Sequence, residues 1–325
     1  MDYENRSVPL YLITDTDRTF NISFGRSDRA IDESIRHVGL IHEPILIMHQ
    51  GHYRIVSGFA RIAACQRLGW TQIPCRCLRA DTPYLKCALL AIADNAGQRA
   101  LNIVEQARAL GLLDRCDDLS EEWTGILQSF GIPVNAQWVG ILKHVVRMSN
   151  RLQRGLVEGA IALPVALRLH GLKDAEAAEE LARLMWELRL GLNRQRELLE
   201  WVLEIALRED IIISDIVNQD PIAQWRRDDK KDRAQTTQLI RDYLRKRRYP
   251  EICASEKRYT GLLKNLRLSK NLHLTPPPYF EGKTFQLRLD FQSKQDLQEL
   301  NLELRDMIES PFLLELLSPA VLQKS

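Results

Sequence analysis

The sequence predicts an α+β domain at the N-terminus, then mainly α-helical domains with a helix-turn-helix, and a small C-terminal strand-helix unit. Three observations carry this prediction. Short apolar runs alternate with helical periods through the first 80 residues. From Pro83 to about residue 210 the helical period dominates with only short polar breaks. After Pro276-Pro277-Pro278, the stretch Lys283–Phe291 alternates strictly, placing Phe285, Leu287, Leu289 and Phe291 on one face of a half-buried strand.

In order, Pro9–Thr14 reads as a strand closed by a polar turn. Ser27–Val38 reads as a helix, with Ile31, Ile35 and Val38 at helical spacing and Asp28 placed to cap it. Pro44–Met48 and Tyr53–Val56 flank the turn His49–His52 as a hairpin. Ser57-Gly58 opens a helix over Phe59–Leu68, which Gly69 ends. Ile73–Leu78 is a third strand, and Thr82-Pro83 begins the next helix. Trp123–Phe130, Gly131 and Val134–Met148 read as helix, tight turn and helix. Glu179–Leu207 reads as one long amphipathic helix, and Leu297–Leu317 as another. The expected divisions are 1–115, 116–172, 173–275 and 276–325, the last a candidate for pairing with its copy in a homodimer.

The chain has 325 residues, enough for about two ordinary domains. Its 45 basic and 43 acidic residues leave a net charge of +2. That balance hides an asymmetry. Asp174–Asp220 holds 12 acidic and 5 basic residues, whereas Trp225–Lys270 holds 15 basic and 6 acidic. The basic stretch Arg226–Arg248 suits either a phosphate backbone or a solvated helix face, and the acidic block could fold against it. Apolar runs such as Ala88–Ala93 fall far short of a membrane span, and Met-Asp-Tyr-Glu-Asn-Arg lacks the features of a secretory signal. Six cysteines, with Cys75-x-Cys77 the one close pair, read as reduced cytosolic thiols and not as a metal site.

Ile35 to Pro74 runs as a helix, a Gly39-Leu40-Ile41 turn, a strand, the Gly51 turn, a strand and a Gly58-x-x-Arg61 helix. A second stretch, Asp94-Asn95 through Leu101-Asn102 to Glu105-Gln106-Ala107, and a third, Trp123–Leu169, follow in order. In these three stretches, about residues 8–172, the chain resembles the ParB partition proteins, whose N-terminal domain is of the ParB/sulfiredoxin type. The resemblance implies a DNA-binding protein of the chromosome or plasmid partition type, cytoplasmic and nucleoid-associated, that binds DNA through a helix-turn-helix. It also implies CTP, with Mg2+, as a ligand that switches a dimer into a sliding clamp. Some relatives of the domain are nucleases, free-serine kinases or sulfiredoxins.

The residues support the two sites unequally. At Ser57, Gly58 and Arg61 a strand ends and a helix starts, so free N–H groups, the helix dipole and a forked guanidinium suit phosphate. Gly58 could equally serve the turn alone, with Arg61 a solvated residue. Asp94 and Asn95 match the second nucleotide stretch, with Asp for Glu. Nucleotide-switching members read about Gly-Glu-Arg-Arg-x-Arg-Ala; here Phe59, Ala60 and Ala63 replace the glutamate and two arginines, and Gln98 stands where the second stretch has Arg. The absence of two charge-assisted hydrogen bonds, each worth about 1.5–3 kcal/mol, predicts weak or altered nucleotide binding. The missing glutamate predicts little catalysis.

For DNA, Asn135, Gln137, Lys143, His144, Arg147 and Arg151 lie on or beside the second helix of the pair, which is the reader in such motifs. A plain packed helical pair would look the same. Two rival readings stand beside the DNA-binding one. The first is a ParB-like nuclease or nucleotide hydrolase, for which only Asp94 and Glu105 offer carboxylates. The second is an interaction scaffold that kept the fold without its ligands.

Overall fold

The computed structural model describes residues 3–25, 29–115, 121–133 and 135–318, the side chains of 121–124 excepted. The expected cap Asp28, with Ser27, and the expected helix start Val134 lie outside the described residues, as does Cys116. Two compact units emerge, Met1–Gln195 and Arg196–Ser325.

The first unit opens with a five-stranded sheet. Its strands are β1 (Tyr3–Pro9), β2 (Ile13–Thr14), β3 (Ile45–His49), β4 (His52–Ser57) and β5 (Gln72–Leu78), in the order β1-β5-β3-β4-β2. β3 and β4 form the expected antiparallel hairpin, while β5 pairs parallel to β3. The strand expected over Pro9–Thr14 is corrected. Pro9 instead ends β1, Leu10–Leu12 form a 3-10 turn, and only Ile13–Thr14 pair, with β4. Proline has no N–H to give a ladder, and β1 is an edge strand, where that loss is tolerated.

Three helices accompany the sheet: α1 (Arg29–Val38), α2 (Phe59–Arg67) and α3 (Tyr84–Ala96). Leu46, Ile55, Ile62, Ile73 and Ile92 are fully buried and make the core. Cys65, Cys75, Cys77 and Cys87 belong to that core. Burial pushes the Cys75 thiol up to about 12 and the Cys87 thiol up to about 11, so both act as small apolar residues.

The remainder of the unit is helical. α4 (Ile103–Leu113) begins with a capping box in which Asn102 and Glu105 satisfy each other's backbone N–H groups. α5 (Glu121–Ser129) and α6 (Ala136–Val145) flank a tight turn at Gly131, whose φ of 73° requires glycine's freedom. α7 (Asn150–Val157), α8 (Leu163–His170) and α9 (Ala175–Leu188) follow. The single long helix expected over Glu179–Leu207 is two, α9 and α10 (Leu192–Glu209). Arg189 turns left-handed (φ 47°), and the N–H of Leu190 returns to the carbonyl of Met185. Buried Gln195 fixes the corner by donating to the carbonyls of Ala160 and Leu190 and accepting from the N–H of Ala162.

The second unit contains α11 (Ile213–Asn218), α12 (Ile222–Arg227), α13 (Arg233–Arg248) and α14 (Pro250–Leu266). The antiparallel pair β6 (Leu272–Thr275) and β7 (Gln286–Leu289) comes next, then α15 (Lys294–Glu309) and α16 (Pro311–Leu316). Ser310-Pro311 divides the helix expected over Leu297–Leu317, because Pro311 starts α16 at a position where its missing N–H costs nothing. The half-buried face of the alternating strand is also corrected. Phe285 packs toward Leu262, Phe280 and Leu316, and Leu289 toward Leu272, Leu300 and Met307. Leu287 and Phe291 stay exposed, since this two-stranded ribbon has only part of one face covered.

In this unit the acidic and basic blocks meet. Arg241 on α13 donates to Glu197 on α10 at 2.7 Å, Arg247 to Glu209 at 2.6 Å, and Arg248 pairs with Glu204. Arg245 binds both carboxylate oxygens of Glu256 on α14, at 2.6 and 2.7 Å. Arg208 donates to the carbonyls of Arg247 and Arg248, capping the end of α13 with a cation, the charge that a helix C-terminus favours.

Candidate functional site

The five residues expected at a phosphate site lie far apart in sequence and line one cleft of about 310 Å³ in the first unit. Ser57 ends β4, Gly58 makes the turn, and Arg61 stands in the first turn of α2. Asp94 and Asn95 come from the last turn of α3. Gly58 has φ +96°, and a Cβ there would sit 2.9 Å from the Cβ of Pro44, so the turn demands glycine. It leaves the start of α2 without a side-chain cap. Apolar Phe20, Ile31, Leu40 and Ile41 wall the other side.

The polar groups of the cleft are already engaged with one another. Arg61 donates to Asp94 Oδ2 at 2.6 Å and to the carbonyl of His42 at 2.9 Å. The Ser57 hydroxyl donates to the same Asp94 oxygen. Asn95 accepts from the Ser23 hydroxyl at 2.9 Å and donates to the carbonyl of Ala91 at 2.8 Å. Asp94 is the one carboxylate among the lining residues, and Arg61 the one guanidinium. The cleft is thus nearly neutral before any ligand arrives.

Glu105, the other carboxylate considered for catalysis, is sealed. Its side chain is fully buried, paired with Arg99, and accepts from the N–H groups of Asn102 and Phe24. Burial opposes its ionisation, yet those hydrogen bonds outweigh burial and hold its pKa below the usual value. Glu105 therefore fastens the segment before α1 to the start of α4. Among the described residues no group of three His, Cys, Asp or Glu is placed to hold a metal ion.

The residues expected to read DNA divide by environment. The Asn135 side chain caps α6, accepting from the N–H of Trp138 at 2.8 Å. Gln137, in the first turn, is exposed. Trp138 turns inward, its indole donating to Gln106 on α4 at 3.2 Å. Lys143 pairs with Asp114 at 3.1 Å, and Arg151 with Glu179 at 2.7 Å. His144 stacks edge-on against His170, whose pKa is lowered by burial and then by His144 and Arg147. Arg147 is exposed.

Residues 28–93, which span the strand-turn-helix of this cleft, match the model of the ParB N-terminal domain. A nucleoid occlusion protein of Geobacillus thermodenitrificans is 27% identical over 54% of this chain and 61% of its own length. A probable plasmid-partitioning protein ParB of Thermus thermophilus is 26% identical over 50% of this chain and 64% of its own. The chain thus matches under two thirds of the length of either relative. Among solved structures, the C-terminally truncated chromosome-partitioning protein ParB from Caulobacter crescentus complexed with CTP-gamma-S is 21% identical. It covers 56% of this chain and 98% of that one, with a TM-score of 0.26.

Around the matched segment, sequence reasoning missed Ser23, Arg99 and Arg108. Arg108 on α4 lies over the ring of Phe24, 4.6 Å from its centroid, and donates to the carbonyl of Ser23 at 2.9 Å. Its one signal in the sequence was a cation on the helical face otherwise made of Val104, Leu112 and Arg115, and helical spacing alone cannot say what such a face meets. No helix of the described residues is long and apolar enough to cross a membrane.

Proposed function

We propose that the protein binds DNA as a partition or nucleoid-occlusion protein of the ParB type, working at the nucleoid in the cytoplasm. In this reading α5 and α6 form the helix-turn-helix, with residues 1–115 as the ligand-binding module and 116–172 as the reading module. Gln137 on the exposed side of α6 and Arg147 just past its end reach base edges or phosphates, with Lys143 and His144 beside them and Arg151 on α7. Asn135 contributes chiefly by capping the reader. The exposed Leu287, Phe291, Leu302, Ile308 and Leu314 of the C-terminal unit give a homodimer an apolar surface to bury.

The observation that carries the reading is the convergence of Ser57, Gly58, Arg61, Asp94 and Asn95 on one cleft at the head of α2. CTP is the ligand class the family resemblance suggests for it. The nucleoside suits the apolar wall. A triphosphate carries about four negative charges and meets one guanidinium already paired with Asp94, so binding is weak. Asp94, held by Arg61 and Ser57, is a poor candidate for orienting a metal or a water, and the site is a ligand site without hydrolytic power.

Gel shifts against genomic fragments at two salt concentrations test the DNA reading; no shift at the lower salt overturns it. CTP at millimolar concentration raises the melting temperature of the native chain and leaves that of Arg61→Ala unchanged. An equal rise in both places the phosphate elsewhere. No rise in either supports the second reading, a scaffold in which the Asp94–Arg61 pair has replaced the ligand.

A further inference from the structure

A second cleft in the first unit, about 470 Å³, lies between the segment after β2 and the helices α4 and α6. Arg18, Thr19, Asn21, Arg108, Arg115 and Val146 line it, and none of its lining residues is a carboxylate. Three guanidiniums facing one space repel each other unless something answers them. Three of the acids near them in sequence are committed elsewhere. Asp17 binds Arg54 and Thr19, Glu105 binds Arg99, and Asp114 binds Lys143.

Arg18, Arg108 and Arg115 make no ion pair among the described residues. Arg18 lies over the Phe59 ring, 5.5 Å from its centroid, and is exposed, as is Arg115. Arg108 is half-buried, and desolvation lowers its pKa from the usual value, although the Glu105 charge opposes the shift. In the second unit Arg241, Arg245, Arg247 and Arg248 each have a carboxylate partner; this triad has a cavity instead.

We propose that this cleft is a binding site for a phosphate oxyanion, gripped by Arg18, Arg108 and Arg115 and separate from the Arg61 cleft. Arg108 is the pre-set member, fixed by Phe24 and the Ser23 carbonyl, and the two exposed arginines close on the ligand. Forked guanidiniums suit phosphate oxygens through paired N–H donors. The phosphate is either a free polyphosphate or one of a DNA backbone, and the cleft serves both through the same hydrogen bonds.

Calorimetric titration with inorganic pyrophosphate tests this on the full chain, because Arg18 and Arg115 are exposed and their removal leaves the core intact. Pyrophosphate binds the native chain and Arg61→Ala alike, and the double variant Arg18→Ala/Arg115→Ala binds at least tenfold more weakly. In a second arm the same three proteins are titrated with a short DNA duplex across salt concentrations. If the phosphate comes from DNA, the double variant lowers the salt slope by about two. A pyrophosphate effect without a slope change assigns a free polyphosphate; a slope change without pyrophosphate binding assigns the backbone. Binding abolished in Arg61→Ala but kept in the double variant, or no difference in either arm, overturns the proposal. DNA binding that persists while neither arm responds leaves the DNA reading standing and removes only this site.

Discussion

Two groups of arginines in this molecule stand in opposite relations to the sequence and the fold. The run Arg241–Arg248 is conspicuous in the sequence, and the fold has used it. Arg241, Arg245, Arg247 and Arg248 each hold a carboxylate of α10 or α14. Arg18, Arg108 and Arg115 are scattered over almost 100 residues and draw no attention in the sequence, yet they converge on one cleft and make no ion pair among the described residues. A cation's availability to a ligand is decided by which acids can reach it, and local charge density does not report that. The near-neutral total of +2 conceals both facts.

The sharpest division between cations that fold and cations that bind is inside the first unit. Glu105→Ala strips Arg99 of its buried partner and leaves the N–H groups of Asn102 and Phe24 unsatisfied. It lowers stability by about 3–5 kcal/mol, read by urea unfolding. The same pair gives a pH dependence. Because the folded-state pKa of Glu105 is depressed, its contribution is complete above the unfolded carboxylate value of 4.5 and disappears as pH falls through the lower folded value. An acid unfolding limb that Glu105→Gln does not alter would mean that other carboxylates govern it.

A smaller effect is expected in the second unit. Arg241→Gln with Arg247→Gln breaks two pairs whose arginines are 24% and 18% exposed, at about 0.5–1 kcal/mol each. The loss shows as a lower melting temperature and shrinks at high salt. The Arg247 hydrogen bond holds the pKa of Glu209 below its usual value, so this contribution too is present at neutral pH and disappears on acidification. The smallest stability effect belongs to Arg18→Ala/Arg115→Ala. These cations make no ion pair among the described residues, so their removal leaves stability within about 0.5 kcal/mol of native or raises it, read as the melting temperature. A clear destabilisation would show that they are structural after all and blur the contrast.

Much of the first unit was legible because it rests on local signals. The hairpin β3–β4 follows from two apolar runs around a turn, and the start of α2 from Ser57-Gly58, where only glycine tolerates the left-handed turn beside Pro44. That Ser57, Arg61 and Asp94 share a site was legible only as motif spacing, and their pairing was not, since 33 residues separate Arg61 from the acid it binds. Where long-range packing decided, the sequence misled. Arg189 and Leu190 break what periodicity reads as one helix, because Leu190 folds into the core and Gln195 satisfies the corner. Leu287 and Phe291 alternate like a buried strand, yet Leu287 is exposed on β7 and Phe291 is exposed beyond its end. The arginine cleft was illegible for the same reason: the segment after β2 meets α4 and α6 there only in three dimensions.

Whether the conspicuous basic run serves the fold is tested most directly by DNA affinity as a function of salt, for the native chain and Arg241→Gln/Arg247→Gln. Each cation withdrawn from a DNA phosphate makes the slope of log K against log salt shallower by about 0.9. If these arginines belong to the fold, the slope stays unchanged while the melting temperature falls. A slope shallower by about two, with the melting temperature unmoved, would contradict it.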